Sequence, residues 1–160
     1  MNRAWLFPII IAGIAALIVA VIGMTIAEFG PWYHGLVKPR WAPSDPAYSA
    51  AWTAVYSITA LAGVTGWLAM PTWREREWLL GLLCLTGFLN IMWSLLFFQF
   101  HRPDWALMVM LTLWLSIFGL LLIVWRRTMV GAVLLLPYLL WVTFAGYLNQ
   151  AIVHLNGPFA

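Results

Sequence analysis

The sequence predicts an all-α integral membrane protein, a bundle of five transmembrane helices. Two observations carry this prediction. Of the 160 residues, 64% are hydrophobic and 8% are charged, whereas charged residues make up roughly a quarter of a typical soluble domain. In addition, five mostly apolar runs reach the ~20 residues that a helix needs to cross a bilayer. So few charges cannot cover a solvated surface, and most of the surface must therefore face lipid.

The five predicted spans are joined by short segments, and the chain is predicted to be one membrane domain, 1–160. The first span, about 5–27, is longer than the ~7–15 apolar residues of a signal peptide, so we expect it to remain in the protein. A polar, proline-rich segment at 28–46, here named the lid loop, follows it. The remaining spans cover about 47–70, 78–100, 105–125 and 130–154.

Basic residues in the connecting segments predict the orientation of the chain. The N-terminal side carries Arg3, Arg74, Arg76, Arg126 and Arg127. The opposite side carries fewer, namely Lys38, Arg40 and Arg102. Because short cytoplasmic segments are enriched in Lys and Arg, we expect a cytoplasmic N-terminus, with the lid loop and the C-terminus outside. We expect this membrane to be the bacterial inner membrane.

Tryptophan is frequent, with 12 residues in the chain. Five tryptophans lie at the ends of predicted spans, where aromatic side chains form a belt at the membrane–water interface. These are Trp5, Trp73, Trp78, Trp105 and Trp125. Four others lie inside spans, where the belt does not explain them: Trp52, Trp93, Trp114 and Trp141.

Polar and aromatic residues on three spans meet at one level of the membrane. Helical spacing places Asn90, Trp93, Ser94 and Phe97 on one face, and polar residues within a bilayer face the bundle rather than lipid. Because successive spans alternate in direction, this set falls in the half beneath the lid loop, with Trp141 near the midplane, and the loop itself contributes Tyr33 and Trp41. The full set on the spans is Trp52, Tyr56, Asn90, Trp93, Ser94, Phe97, Tyr138, Trp141, Ala145 and Asn149.

Apolar walls with a few polar groups are typical of a small-molecule pocket, and the lid loop would cover it. The alternative for each residue is a structural role, because Asn and Ser also bridge helices, at ~0.6 kcal/mol each on average. Taken together with the lid loop, the residues favour the pocket.

Other kinds of site find little support. Cys84 is the only cysteine, so the chain forms no internal disulfide and holds no cysteine pair for a metal. His34, His101 and His154 show no ligand spacing. The spans hold no carboxylate for acid–base chemistry, and no run of Lys or Arg indicates nucleic-acid binding. The missing intramembrane charge also argues against an ion-coupled transporter.

Three blocks of the sequence resemble one known family. Residues 32–43 read WYHGLVKPRWAP, with WTAVY at 52–56; residues 90–98 read NIMWSLLFF; and residues 137–141 read PYLLW, followed by Phe-Ala and Leu-Asn pairs. Over almost the whole chain, the sequence resembles the TspO/translocator protein family, also called tryptophan-rich sensory proteins or peripheral benzodiazepine receptors.

The resemblance implies a compact five-helix bundle that forms a homodimer. On the third span, the small residues Gly81, Cys84 and Gly87 would permit close approach of the two copies, although they form no strict Gly-x-x-x-Gly motif. It also implies a pocket beneath the lid loop for porphyrins, sterols and benzodiazepine-type drugs, with porphyrin as a ligand and no required cofactor. The corresponding ligand-contacting positions are Tyr33, Pro43, Trp52, Asn90, Trp93, Ser94, Trp141 and Ala145.

Two departures from the family pattern concern ligand preference. Gln150 and His154 occupy positions of the cholesterol-recognition motif of animal members, which puts strong cholesterol binding in doubt. In the lid loop, many relatives have two prolines and then an aromatic residue, whereas here Pro43 is followed by Ser44, Asp45 and Pro46, with Tyr48 further on. The conformation of the lid loop can therefore differ.

Three functions remain open from the sequence. The favoured one is a receptor, sensor or transporter that binds flat hydrophobic ligands. The second is a light-dependent enzyme that degrades porphyrin, as reported for some bacterial members with a tryptophan pair matching Trp52 and Trp141. The third is a membrane scaffold that binds lipid incidentally.

Overall fold

The structure is a computed structural model that describes residues 6–27 and 29–159. These residues are helical apart from short connections, and no strand occurs among them. The helices are α1 (Leu6–Ile26), α2 (Pro31–Gly35), α3 (Asp45–Ala69), α4 (Trp73–Ser94), α5 (Pro103–Trp125) and α6 (Met129–Asn156), and a π-helical turn, Leu95–Gln99, continues α4.

The prediction of an all-helical membrane chain is confirmed, but the described residues form six helices rather than five. The additional helix, α2, lies within the lid loop and begins at Pro31, whose fixed φ suits a first helical position. Three of the described helices are long and apolar enough to cross a membrane: Trp73–Gln99, Pro103–Trp125 and Met129–Asn156. The total of five spans stays a prediction.

Helix α4 begins earlier than predicted. Thr72 caps it by accepting a hydrogen bond from the backbone N–H of Glu75 at 3.4 Å, so the charged segment assigned to a loop is in fact the first helical turn. An ion pair between Glu75 and Arg127 then joins this turn to the α5–α6 connection. At its other end, α4 passes into the π-helical turn, which buries two consecutive aromatic residues, Phe97 and Phe98.

The long helices form a ring in the order α1, α3, α6, α5, α4. Helix α5 packs on α4 and α6, α3 packs on α6 and α1, and α1 closes the ring by contacting α4. Near one end the helices approach closely: a Cβ atom at Gly131 would lie 2.8 Å from Cγ1 of Val124 and 3.0 Å from Oγ1 of Thr65. A glycine at this point lets α6 begin against α3 and the end of α5.

The core differs between the two halves of the bundle. In the half away from the lid loop, the buried cluster is mainly aliphatic: Ala62, Met70, Leu79, Leu120, Leu121, Val124 and Leu135. In the half beneath the lid loop, here called the lid half, the buried cluster is rich in rings, including Tyr33, Tyr48, Trp52, Trp93, Phe97, Phe98 and Tyr138. The predicted site residues on the spans lie in this aromatic half or at its border.

The lid loop is held to the bundle at defined points. The side-chain amide of Asn156, at the end of α6, accepts from the N–H of Val37 at 2.8 Å and donates to its carbonyl at 2.9 Å. The ring of Trp32 stacks on His101 with centroids 4.2 Å apart, and His101 has a left-handed φ of 53° in the turn before α5. The lid loop therefore packs against the end of the bundle through specific contacts.

The small residues expected at a dimer interface divide between two roles. Gly87 faces α1, where a Cβ atom would lie 3.4 Å from Val19. Gly81 and Cys84 are exposed. The homodimer stays a prediction.

The tryptophans expected in the interfacial belt are exposed as far as the structure describes them: Trp73 by 63%, Trp78 by 60%, Trp105 by 56% and Trp125 by 50%. Trp5 lies outside the described residues.

Candidate functional site

A cavity of about 290 Å³ opens in the lid half, between the end of α1, α3 and the end of α4. We call it the side chamber. Aromatic rings form most of its wall, and hydroxyl groups of Ser49, Thr53 and Ser94 interrupt them. Its lining residues are Ala27, Phe29, Tyr48, Ser49, Trp52, Thr53, Tyr56, Trp93, Ser94 and Phe98.

Trp52 is at the centre of the ring contacts around the side chamber. Its indole stacks on Tyr56, four residues further along α3, with centroids 5.4 Å apart. It lies 5.9 Å from Trp93 on α4 and 6.0 Å from Trp141 on α6, whose ring is perpendicular to it. Offset and edge-to-face pairs of this kind contribute ~0.5–1.5 kcal/mol beyond their buried area. The wall is therefore a preformed aromatic surface.

A hydrogen-bonded chain holds the indole of Trp93 in place. With its amide oriented to satisfy both neighbours, Asn149 accepts from Nε1 of Trp93 at 3.2 Å and donates to the carbonyl of Pro103 at 3.1 Å. This chain links α4, α6 and the start of α5. Asn149, predicted as a ligand contact, is thus engaged in positioning Trp93 in this structure.

Asn90 joins three helices beneath the side chamber. The hydroxyl of Tyr56 donates to Oδ1 of Asn90 at 2.6 Å, and Nδ2 of Asn90 donates to the hydroxyl of Tyr138 at 3.5 Å. Asn90 is 1% exposed, so its polar atoms need these partners. The network forms the floor of the site between α3, α4 and α6.

A second, much smaller void of about 10 Å³ lies on the α6 side of the same aromatic cluster. We call it the inner void. It lies against Tyr33 of the lid loop and against α6, where the predicted pocket was expected. Its lining residues are Tyr33, Tyr48, Trp93, Phe97, Phe98, Ala145, Leu148, Asn149 and Ile152.

The predicted site residues therefore divide into three groups. Trp52, Tyr56, Trp93 and Ser94 line the side chamber. Tyr33, Phe97, Ala145 and Asn149, together with Trp93, line the inner void. Asn90 and Tyr138 lie behind the rings, and Trp141 contacts Trp52 and Tyr48 without lining either space.

Two residues of the lid loop do not line either space. Trp41 is 44% exposed and stacks on Tyr147 of α6 at 5.1 Å, on the outside of the bundle. Pro43 is partly buried and lines neither the side chamber nor the inner void. Ligand contact by these two residues stays a prediction.

Sequence reasoning missed six residues that line the side chamber. Tyr48 and Ser49 precede Trp52 and Thr53 by four residues, so the helical spacing of α3 could have identified them. Phe98 follows Ser94 by four residues, so the same spacing could have identified it as well. Ala27 and Phe29 depend on how the chain leaves α1, which periodicity does not specify. The six are Ala27, Phe29, Tyr48, Ser49, Thr53 and Phe98.

The polar side chains that line the side chamber and the inner void are uncharged. Among the described residues, no Asp, Glu, Lys or Arg lines either space. In the lid loop, burial, with a smaller effect of Asp45, raises the pKa of Tyr33 to about 12, so its phenol remains protonated at neutral pH. The indole N–H of Trp141 is buried without a hydrogen-bond partner among the described residues, and no metal-binding group of His, Cys, Asp or Glu occurs in that part of the chain.

Comparisons with known proteins agree with this architecture. A model of the TspO/MBR family matches residues 4–155. The chain is 35% identical over 146 residues to "Protein CrtK" of Rhodobacter capsulatus, which covers 86% of this chain and 87% of the relative. It is 36% identical to "Tryptophan-rich protein TspO" of Chlorobaculum tepidum, covering 84% and 89%. It is also 32% identical to the pig "Translocator protein", covering 76% and 72%.

The Asn90 network predicts an order of stability effects. Tyr56→Phe removes a short hydrogen bond and leaves a buried amide oxygen unpaired, so we expect it to lower the free energy of unfolding by about 1 kcal/mol. Tyr138→Phe removes only the long bond, and we expect a loss below ~0.5 kcal/mol. Tyr147→Phe, at a 62% exposed position, is the matched control. Unfolding in mixed detergent micelles measures all three, and a larger loss for Tyr138→Phe than for Tyr56→Phe would contradict the network.

Proposed function

Because the chain belongs to the TspO/MBR family, we propose that it is a membrane receptor or sensor, or a transporter, for porphyrins and other flat hydrophobic ligands. The observation that carries the proposal is the side chamber, an aromatic-walled cavity of about 290 Å³ in the lid half. Cavities that bind small molecules typically have apolar and aromatic walls with a few polar groups, and this one combines Trp52 and Trp93 with hydroxyl groups.

The chemistry of the wall supports a flat ligand. Indole and phenol faces bury large apolar areas and prefer to meet other rings offset or edge to face. Hydroxyl groups of Ser94 and Tyr56 lie at the wall, and the N–H of Trp141 lies behind it without a partner among the described residues. Since these groups are neutral, the proposed ligand is recognised by shape and hydrogen bonding. The relatives' printed names, a tryptophan-rich protein and a translocator protein, are compatible with this proposal.

We also propose that the lid loop lies on the outer face of the membrane and the N-terminus in the cytoplasm, as in a bacterial inner-membrane protein. The support is the excess of basic residues on the N-terminal side. Cysteine introduced at Ser44, in the lid loop, should react with an impermeant thiol reagent added outside cells, whereas cysteine at Thr72 should not. The reverse pattern would invert the orientation.

Light-driven porphyrin degradation is a second candidate function. It is favoured by one arrangement: Trp52 lines the side chamber, and Trp141 lies directly behind it at 6.0 Å, so a second oxidisable indole is in contact with the one that would adjoin the proposed ligand. A passive scaffold is the remaining alternative, and absence of saturable ligand binding would favour it.

Protoporphyrin binding to the purified protein in nanodiscs tests the primary proposal. We expect Trp52→Ala to weaken binding at least tenfold, which corresponds to ~1.4 kcal/mol, because it removes the central ring of the wall. The matched control is Trp125→Ala, which removes an exposed indole of the same size and should keep affinity within about threefold. Equal effects of both substitutions would mean that the ligand does not occupy the side chamber.

The light reaction is tested with Trp52→Phe and Trp141→Phe, singly and combined. Phe keeps an aromatic ring but is much harder to oxidise, so we expect slower loss of bound protoporphyrin under illumination with affinity largely kept. Product analysis in light and in the dark, with free protoporphyrin as the bleaching control, measures the loss. If the double variant bleached bound porphyrin as fast as the parent, the two indoles would have no part in the light reaction.

A further inference from the structure

One thin wall of side chains separates the side chamber from the inner void. Tyr48, Trp93 and Phe98 line both spaces. The side chamber measures about 290 Å³ and the inner void about 10 Å³, whereas small-molecule sites typically measure ~300–1,000 Å³. The side chamber alone is therefore at the lower limit for a ligand, and a substituted four-ring macrocycle needs more room than it offers.

The three members of this wall are not equally fixed. Trp93 is 2% exposed and is tied to α6 through Asn149. Phe98 is set by the π-helical turn, where its ring packs 4.8 Å from Phe97 and edge-on against Phe29. Tyr48 differs because it lies on the first turn of α3, directly after the lid loop. Its ring packs on Phe29, Trp52 and Trp141 but takes no part in the hydrogen bonds that join α4, α5 and α6, so it can move without breaking them.

The opening of the side chamber and the hydroxyl of Ser94 indicate what kind of ligand it takes. Ser49 and Thr53 line it and are exposed on the surface of α3, so the chamber has an opening on the side of the bundle that faces lipid if α3 spans the membrane. Ser94 lines it too, is 4% exposed, and its hydroxyl has no hydrogen bond to any described residue. A hydroxyl at the chamber wall can donate to or accept from a polar atom of the ligand.

Resting on the proposed function, we propose that Tyr48 sets the size of the ligand that the site accepts. With its ring in place, the side chamber takes a compact ligand of one or two fused rings with one hydrogen-bonding group, drawn from the bilayer. With its ring displaced, the two spaces join and gain the volume of the ring, which makes room for a larger ring system than the side chamber alone admits. Apparent affinity for a macrocycle is then reduced by the small fraction of molecules in which Tyr48 has moved, and removing the ring removes this reduction.

The test compares two probes, protoporphyrin and a naphthalene carboxamide, on the full chain in nanodiscs. The measured quantity is the ratio of the protoporphyrin Kd to the naphthalene carboxamide Kd. We expect Tyr48→Ala to lower this ratio at least tenfold. Tyr48→Phe keeps the ring, and Phe88→Ala removes an exposed ring outside both spaces, so both should leave the ratio within about threefold of the parent.

The outcomes separate this inference from the proposed function. The inference is wrong if Tyr48→Ala leaves the ratio unchanged, or if this variant binds neither probe while the parent binds both. In either case Tyr48 does not set the size of the ligand, although the proposed function stands. If Tyr48→Phe shifts the ratio as much as Tyr48→Ala, the hydroxyl rather than the ring volume decides, and the inference is wrong. If the parent binds neither probe saturably, the proposed function fails and the inference fails with it.

Discussion

The burial of the Trp93 indole is the constraint on which the lid half depends. A buried N–H without a partner is costly, and Asn149 satisfies this one only while α4, α6 and the start of α5 keep their relative positions. The indole then fixes the neighbouring rings, because Trp52, Phe97 and Phe98 all lie within about 6 Å of it. The Trp93 indole and the Asn149 amide in this way connect α4, α5, α6 and the π-helical turn.

The contrast between the halves of the bundle explains why the cavity lies where it does. In the half away from the lid loop, aliphatic side chains and glycines such as Gly66 and Gly131 let helices approach closely and fill the interior. In the lid half, the buried cluster consists largely of rings, and the lid loop adds Tyr33 and Trp32 to it. The void that results is enclosed by rings, which suits it to a flat ligand, and its position follows from the composition of the two halves.

The sequence predicted the parts of the fold that obey periodicity. The long helices and the common level of Trp52, Asn90 and Trp93 follow from apolar run length and helical spacing, and both are present in the structure. Features that depend on local backbone geometry were not predictable: α2 forms within a loop that contains several prolines, and a π-helical turn continues α4 and buries both Phe97 and Phe98. The outward placement of Trp41 is of the same kind, because stacking on Tyr147 is decided by the path of the lid loop and not by its composition.

The neutrality of the site limits what it can select. A charged ligand group inside the chamber would have no ionic partner, since no acidic or basic side chain lines the described chamber wall, and unpaired charge is costly within a membrane. Charged substituents, such as the propionates of protoporphyrin, must therefore remain in water outside the chamber. Selection must then rest on flatness, on volume and on a hydrogen bond to groups such as Ser94. Volume discriminates weakly between ligands that differ by a few atoms, but a wall that must move to admit a larger ring system discriminates strongly. In a site built from neutral rings, the position of one ring at the edge of the lid loop is therefore a sufficient means of choosing between ligand classes.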